Sequence, residues 1–388
     1  MSVMTPFLKM RVGVVSTASE RRIRGSSNPG SVLSVRHRLD RQCPVCHNLR
    51  AKLPKSLRDT SLSPIAIFSG SAHPGLAQEI CAKLQVPLLP TKLKRFSNDC
   101  IEVQLQANCR EQDVFLIQPL SSPVQDHLVE LLLMLDAARG ASASRITAVI
   151  PHYAYARSDK KDAPRISIGG RLVADLLVTA GANRVLAMTL HSPQVHGFFS
   201  VPVDHLHALG ELAQYFRRYD LTNGVVVSPD LGNAKGAAAF AKRLGVPVAA
   251  GAKERLSDTQ VRISMLIGDV RDRDVIVLDD EIVNGGSILE LLRHLREHEA
   301  RSIRIACTHG IFSNTATQRL AAEPDILEIV CTNTVPIPAE KRVPKLTVLS
   351  IAPALAEAMR RINSGESVSA LFHSEPTTRD DERAARRA

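Results

Sequence analysis

From Pro64 onward, short apolar runs rich in β-branched residues alternate with longer segments whose apolar residues recur at helical spacing. IAIF at Ile65–Phe68, VFLIQ at Val114–Gln118 and ITAVI at Ile146–Ile150 read as buried strands, with helical patterns over Pro74–Leu84 and Val124–Gly140 between them. Strand signals return at Arg184–Met188, at VVVSPD over Val225–Asp230 and at VIVLDDEIVNGGSIL over Val275–Leu289, where the glycine turn runs into a leucine-rich helix start. Val348–Ser350 and Ala352–Ile362 close the pattern as a last strand and helix. Strands that are apolar throughout, separated by helices, predict parallel sheets covered on both faces. Residues 1–60 mix Arg, Ser, Pro and Gly without a period, and residues 373–388 are charged without an apolar face. The first is expected to be a disordered basic arm and the second a disordered tail.

The pattern occurs twice. AKLQVPL at Ala82–Leu88 matches KRLGVPV at Lys242–Val248 at an offset of 160, and DVFLIQ at Asp113–Gln118 matches DVIVLD at Asp274–Asp279 at 161. LVELLLML at Leu128–Leu135 matches ILELLRHL at Ile288–Leu295, again at 160, and RITAVIPH at Arg145–His152 faces RIRIACTH after small deletions. Matches in one order at one offset predict a tandem duplication of a single α/β domain, with copies over residues 61–210 and 211–372.

The chemistry concentrates in the second copy. After the strand Val275–Leu278 come Asp279 and Asp280, then Val283, Asn284, Gly285, Gly286 and Ser287, then a helix. A glycine turn at a strand's carboxyl end, opening a helix, leaves backbone N–H groups bare for an anion and adds the partial positive charge of the helix N-terminus. Carboxylates cannot bind phosphate; Asp279 and Asp280 are placed to accept from sugar hydroxyls or to hold a divalent cation. The expected ligand is therefore a sugar phosphate. The first copy reads PLSSPVQD at Pro119–Asp126, without paired acids or glycines, so only the second copy is expected to carry the cradle.

Four other stretches are candidates. PHYAYARSDKKD at Pro151–Asp162 offers Arg157, Lys160 and Lys161 beside Tyr153 and Tyr155, either for a polyphosphate and a purine or as an exposed basic loop. TLHSPQVHGFF at Thr189–Phe199 puts His191 at a strand end within reach of a metal-bound nucleotide, with His196 read as structural. Asp230 ends a strand and suits Mg2+, while Asn233 starts a helix as a cap. KERLSDTQVR, from Lys253 and Arg255 onward, lacks apolar alternation until Ile263 and reads as a mobile lid or an ordinary exposed loop.

Charge narrows the partners. Residues 1–60 hold 12 Lys and Arg against Glu20, Asp40 and Asp59, so the arm carries +9 of the total +10 and the body is nearly neutral. With no Trp and only 4 Tyr, no nucleic-acid surface is expected. No apolar run approaches the ~18 residues of a membrane span. Seven cysteines without a framework of pairs favour a reducing compartment, and a cytoplasmic location is expected. The arm is readable as a targeting presequence or as a simple extension. Within it, Cys43-x-x-Cys46-His47 has no second cysteine pair nearby to complete a zinc site.

Over about residues 64 to 372 the ordered set resembles the ribose-phosphate pyrophosphokinase family: RFSND at Arg95–Asp99, PHYAYARSDKKD, TLHSPQVHGFF, VVVSPD, Lys253-x-Arg255 and DDEIVNGGS. The resemblance implies an α/β fold in which each copy is a phosphoribosyltransferase-type domain, a parallel sheet flanked by helices. It also implies transfer of diphosphate from ATP to the 1-hydroxyl of ribose 5-phosphate, with Mg2+. Asp279, Asp280 and the loop Val283–Ser287 would hold ribose 5-phosphate. Phe96, Asn98, Asp99, Cys100, Arg157 and Ser158 would contact ATP, the hairpin reaching a neighbouring subunit's site in a dimer or hexamer. His191 and Asp230 would lie at the metal, and Lys253 and Arg255 would act on the transferring group. Departures from the commonest bacterial and mammalian pattern are Val283 and Asn284 in place of Asp-Thr, Cys100 for Glu, Ser158 for Gln, and Thr189 and Ser200 for acids; some of these resemble archaeal-type members. Two other functions share parts of this pattern: a phosphoribosyltransferase, and a non-catalytic subunit regulating a true synthetase.

Overall fold

The computed structural model describes residues 64–255 and 261–371, for 253–255, 261–264 and 370 the backbone alone. The arm, with its Cys43-x-x-Cys46-His47, and the tail from residue 372 lie outside the described residues.

Each repeat folds as the alternation of strands and helices predicts. In the first, β1 (Ile65–Ser69), α1 (Pro74–Leu84), β2 (Leu88–Leu89), a hairpin of β3 (Thr91–Arg95) and β4 (Ile101–Leu105), β5 (Asp113–Ile117), α2 (Val124–Gly140), β6 (Arg145–Ile150), α3 (Gly169–Ala180), β7 (Arg184–Met188) and β8 (Val203–Leu206) follow in order. α4 (Leu209–Phe216) follows β8, and in the second repeat come β9 (Gly224–Ser228), α5 (Ala234–Leu244), β10 (Val248–Arg255), β11 (Val261–Ile267), β12 (Asp274–Ile282), α6 (Gly286–Glu297), β13 (Ser302–Gly310), α7 (Ala316–Ala322), β14 (Ile326–Thr332), β15 (Leu346–Leu349) and, after it, α8 (Ala352–Ser364). The first sheet runs β2-β1-β5-β6-β7-β8 and the second β11-β10-β9-β12-β13-β14-β15. Apart from the antiparallel edge strand β11, the two orders correspond strand for strand. The duplication inferred from sequence offsets is therefore a duplication of topology.

Strand periodicity of two decides what covers each face. In the first sheet Ala66, Phe68, Val114, Leu116, Ala148 and Ile150 pack against Leu131, Met134 and Leu135 of α2 and Val173 and Leu177 of α3. The intervening residues Ile67, Phe115, Ile117, Val149 and Leu186 face Leu76 and Ile80 of α1 and Leu355 and Met359 of α8. The second sheet sends Val275, Val277, Ile303 and Ile305 toward α6, and Val226, Ile276, Leu278 and Ala306 toward Leu212 and Phe216 of α4 and Phe240 of α5.

The two copies exchange a helix. After β8, the last strand of the first sheet, α4 packs on the second sheet; after β15, the last strand of the second, α8 returns to the first. Polar contacts pin the return. Arg145 at the start of β6 donates to Ile362 O at 2.7 Å and pairs with Asp113, whose side chain is 2% exposed, while Asn363 Nδ2 donates to Asp113 Oδ2 at 3.0 Å. α8 follows its own β15 in sequence but belongs to the other copy's core, so hydrophobic burial holds the copies together as well as building each one.

Leu355→Ala is expected to cost about 3 kcal/mol, the usual range for a fully buried leucine in a core that cannot collapse. Denaturant unfolding checks it; a cost below about 1 kcal/mol would show that α8 is not part of the first sheet's core.

Candidate active site

The carboxyl ends of the two sheets face one cleft of about 1720 Å³. Its second-copy wall carries Asp230, Asn233 and the continuous run Leu278–Ile288; its first-copy wall carries Arg157, Asp159, Lys160, Thr189 and His191. A parallel sheet places its loops at the strand ends, which is why motifs far apart in sequence meet here.

β12 runs further than the apolar stretch suggests, to Ile282, so Asp279, Asp280 and Glu281 are strand residues. Gly285 caps α6 with φ +72, a left-handed conformation that a side chain makes costly, and a Cβ there would also press on Leu320 at 3.3 Å. The cradle beyond it is partly closed by its own loop. Asn284 Oδ1 accepts from Gly286 N–H at 3.0 Å, and Val283 O accepts from Ser313 N–H at 2.7 Å, fixing the loop against the β13–α7 connection.

Asp279 Oδ1 accepts from the Asp280 N–H at 2.9 Å, while Asp280 Oδ2 meets His191 Nδ1 at 2.5 Å across the cleft. That hydrogen bond raises the pKa of His191, against the lowering effect of its burial. On Asp280, burial pushes the pKa up, but the hydrogen bonds with His191 and Asp279 outweigh it and the net direction is down. Two residues before His191 the backbone is strained. Thr189 has φ +41, uncommon for a β-branched residue, and is fixed by hydrogen bonds from its N–H to Leu206 O at 2.7 Å and from His309 Nε2 to its carbonyl at 2.8 Å. Burial first, then the neighbouring His152, lowers the His309 pKa to about 4, so it makes this bond as a neutral ring.

At the first copy's counterpart of Asp279, side chains hydrogen-bond to one another. Gln118, equivalent to Asp279, accepts from Ala72 N–H at 3.1 Å and donates to Glu130 at 2.7 Å, and Glu130 accepts from the Ser71 N–H at 3.1 Å. Gly70 is required here, because a Cβ would lie 2.4 Å from Gln118 Oε1. Loss of the acids and glycines was legible in the sequence; that a glutamine refills the space was not.

The remaining sequence candidates divide. Arg157 lines the cleft, but Ser158 does not: its hydroxyl accepts from Gly169 N–H at 2.9 Å and holds the start of α3. Phe96, Asn98, Asp99 and Cys100 form the tip of the β3–β4 hairpin and are absent from this cleft's lining; Phe96 is exposed, and Arg95 ties the tip to Asp99 and Asp126 at 2.6 Å each. Tyr153, read from sequence as a purine contact, is instead core: its hydroxyl donates to Gly170 O at 2.9 Å and its ring packs on Phe199, and burial raises its pKa. Both ends of the stretch read as a lid are strand, since Lys253–Arg255 pair antiparallel with Val261–Ile263; residues 256–260 between them lie outside the described residues. The side chains of Lys253 and Arg255 are likewise outside them. Glu281, between Arg157 and His152, is a site residue that the sequence reading passed over for want of any motif position.

Among the described residues no three His, Cys, Asp or Glu side chains converge as a closed metal site, and no helix is long and apolar enough to cross a membrane.

A doubled phosphoribosyltransferase-type sheet with one anion cradle, and basic and histidine loops facing it from the other copy, defines a transferase joining a sugar phosphate to a second anionic substrate. A family model described as the N-terminal domain of ribose phosphate pyrophosphokinase matches residues 65–181, and one described as the phosphoribosyl synthetase-associated domain matches residues 256–373. A protein of Streptomyces coelicolor that bears the name ribose-phosphate pyrophosphokinase provisionally is 72% identical over 80% of this chain and 98% of its own length. The ribose-phosphate pyrophosphokinase of Deinococcus radiodurans is 51% identical, again over 80% of this chain and 98% of its own. The crystal structure of phosphoribosylpyrophosphate synthetase from Mycobacterium smegmatis superposes with a TM-score of 0.74 at 42% identity, covering 78% of this chain and 99% of that one. The chain belongs to the ribose-phosphate pyrophosphokinase family.

The His191–Asp280 contact sets a pH dependence. Because the folded pKa of His191 is raised, its pairing contributes stability that is fully present below the ordinary value of 6.5 and is lost as pH rises through the folded pKa. In Asp280→Asn, burial acts without the carboxylate, and the His191 ring is expected to titrate below 6.5 when followed by NMR. An unchanged titration midpoint would show that the carboxylate is not the cause.

Proposed function

We propose that this chain transfers the diphosphate of ATP to the 1-hydroxyl of ribose 5-phosphate, releasing 5-phosphoribosyl 1-diphosphate and AMP. The observation that carries this reading is the cleft in which the glycine loop of the second copy is met by Arg157 and His191 of the first. One sugar phosphate and one donor fit that arrangement; a plain phosphoribosyltransferase needs neither the second copy nor its loops.

Ribose 5-phosphate sits with its phosphate over Gly285, Gly286 and Ser287 at the start of α6 and its hydroxyls on Asp279. Val283 contributes only backbone. Asn284, which already satisfies one N–H of the cradle, turns aside when the phosphate takes that donor. Asp280 works through His191, which it holds in place, more than on the sugar itself.

Arg157 binds the donor's phosphates. Phe96, Asn98, Asp99 and Cys100, outside this cleft, serve the nucleotide site of a neighbouring copy in a homo-oligomer. Asp230 presents oxygen to the cleft and His191 faces it from the opposite wall. These two donors suit a Mg2+ bound chiefly by substrate phosphates and water, and not one caged by protein. When bound, the cation supplies charge neutralisation on the phosphate oxygens.

The 1-hydroxyl attacks the β-phosphorus, the bond to the α-phosphate's bridging oxygen breaks, and AMP leaves with that oxygen. No covalent enzyme intermediate is formed. Lys253 and Arg255, carried on β10 beside the cradle strand's neighbour β9, stabilise charge on the transferring diphosphate.

The direct test follows AMP release from the purified chain given ribose 5-phosphate and MgATP. AMP with equimolar phosphoribosyl pyrophosphate is expected, and neither product would mean a silent, regulatory homologue. Lys253→Ala is expected to lower kcat by about 100-fold, the loss typical of a transition-state charge contact. Asp279→Ala is expected to raise the KM for ribose 5-phosphate by about tenfold or more with a smaller change in kcat, as removal of a charged hydrogen-bond acceptor does.

A further inference from the structure

Glu281 follows the two aspartates on β12, and neither the cradle nor the His191–Asp280 pair accounts for it. A glutamate at the inner end of a central strand is costly unless partners satisfy it. Its side chain is 10% exposed, and both oxygens are directed at the first copy: Oε1 lies 3.5 Å from Arg157 Nε and Oε2 3.7 Å from His152 Nε2. His152 is fixed from its other side, with Nδ1 3.0 Å from Leu120 O, and its buried Nε2 has no hydrogen-bond partner, the Glu281 carboxylate lying at ion-pair distance. In the second copy, β13 sets His309 in register beside Glu281, and the His309 ring packs edge-on against His152 at 4.8 Å. His152 and His309 are equivalent positions of the two repeats, so Glu281 sits at their meeting point.

We infer that Glu281 is a positioning residue for the nucleotide donor. From the strand that holds the acceptor, it sets the direction of Arg157, the first-copy arginine that meets the donor's phosphates. The inference rests on the proposed contact of Arg157 with ATP.

A carboxylate beside such an arginine has two opposed effects. Its charge repels the polyphosphate, so removing it should tighten ATP. It also restricts a guanidinium that is half exposed, so removing it leaves more side-chain freedom to be lost on binding and should weaken ATP. Both effects are electrostatic, but the restriction acts through a 3.5 Å contact with a carboxylate only 10% exposed, whereas the repulsion acts over the longer distance to phosphates in the open cleft and is screened more by water and salt. The second effect therefore wins, and the sign of the change identifies it.

The test compares Glu281→Gln, Glu281→Asp, Arg157→Ala and the Glu281→Gln/Arg157→Ala double variant of the full chain, with KM for each substrate, kcat and the thermal midpoint. Glu281→Gln is expected to raise the KM for ATP about fivefold, on the scale of a partly exposed ion pair, and to leave the KM for ribose 5-phosphate unchanged. Glu281→Asp should recover part of the loss, and in the Arg157→Ala background the glutamine should add less than about twofold, because coupled residues are not additive. Tighter or unchanged ATP binding in Glu281→Gln, with Arg157→Ala still weakening it, overturns the inference and leaves the donor role of Arg157 intact. No effect of Arg157→Ala on the KM for ATP overturns both. Equal losses for both substrates, with a lowered midpoint, show that Glu281 only supports the fold and also overturn the inference.

Discussion

Three consecutive carboxylates on one half-buried strand end each need compensation, and this requirement shapes the junction of the two copies. Asp279 is satisfied in part by the next backbone N–H and Asp280 by His191, while Glu281 lies at ion-pair distance from Arg157 and His152. Asp280 and Glu281 thus meet groups of the other copy. Separating the sheets would expose or strand these charges, so the electrostatics that build the cleft also hold it in register. Breaking one partner of such a pair costs more than the pair contributes, because the survivor is left uncompensated.

A second constraint works on the opposite side of each sheet. A parallel sheet needs cover on both faces, and here the cover for one face of each copy comes from the helix that follows the other's last strand. α4 and α8 thus cross in opposite directions. Neither copy can bury its strands without the other, and the loops at the carboxyl ends are carried on one body. Positioning of reacting groups to within fractions of an ångström, on which a transfer without covalent catalysis depends, requires such a body.

Duplication followed by division of labour explains why one chain has two cradle positions and one open cradle. Gln118, Glu130 and Ser71 turn the first copy's counterpart of the Asp279 position into a hydrogen-bonded cluster that satisfies the buried polar groups. The strands of that copy still end at the cleft, and their loops provide Arg157 and His191. At the pseudo-symmetric centre the equivalent histidines His152 and His309 touch, with His309 kept neutral by its burial.

Local pattern and repetition determined much of this in advance. Apolar strand runs, helical periods, the offset of 160–161 and the DD–GGS loop are properties of neighbouring residues; they specified the sheets and the duplication, and they single out the loop after β12 as the cradle proposed above. What depended on residues brought together from different segments was decided by tertiary structure alone. Nothing near Asp280 in sequence shows that it faces His191 instead of a sugar, and nothing near Glu281 marks it out from a solvated acid. Tyr153 and Ser158 lie inside a motif, yet one is core and the other caps a helix, because a motif fixes residue order while packing fixes which way each side chain turns. The exchange of α4 and α8 was equally hidden: amphipathicity shows that a helix must bury a face, but only the folded chain selects which sheet it covers.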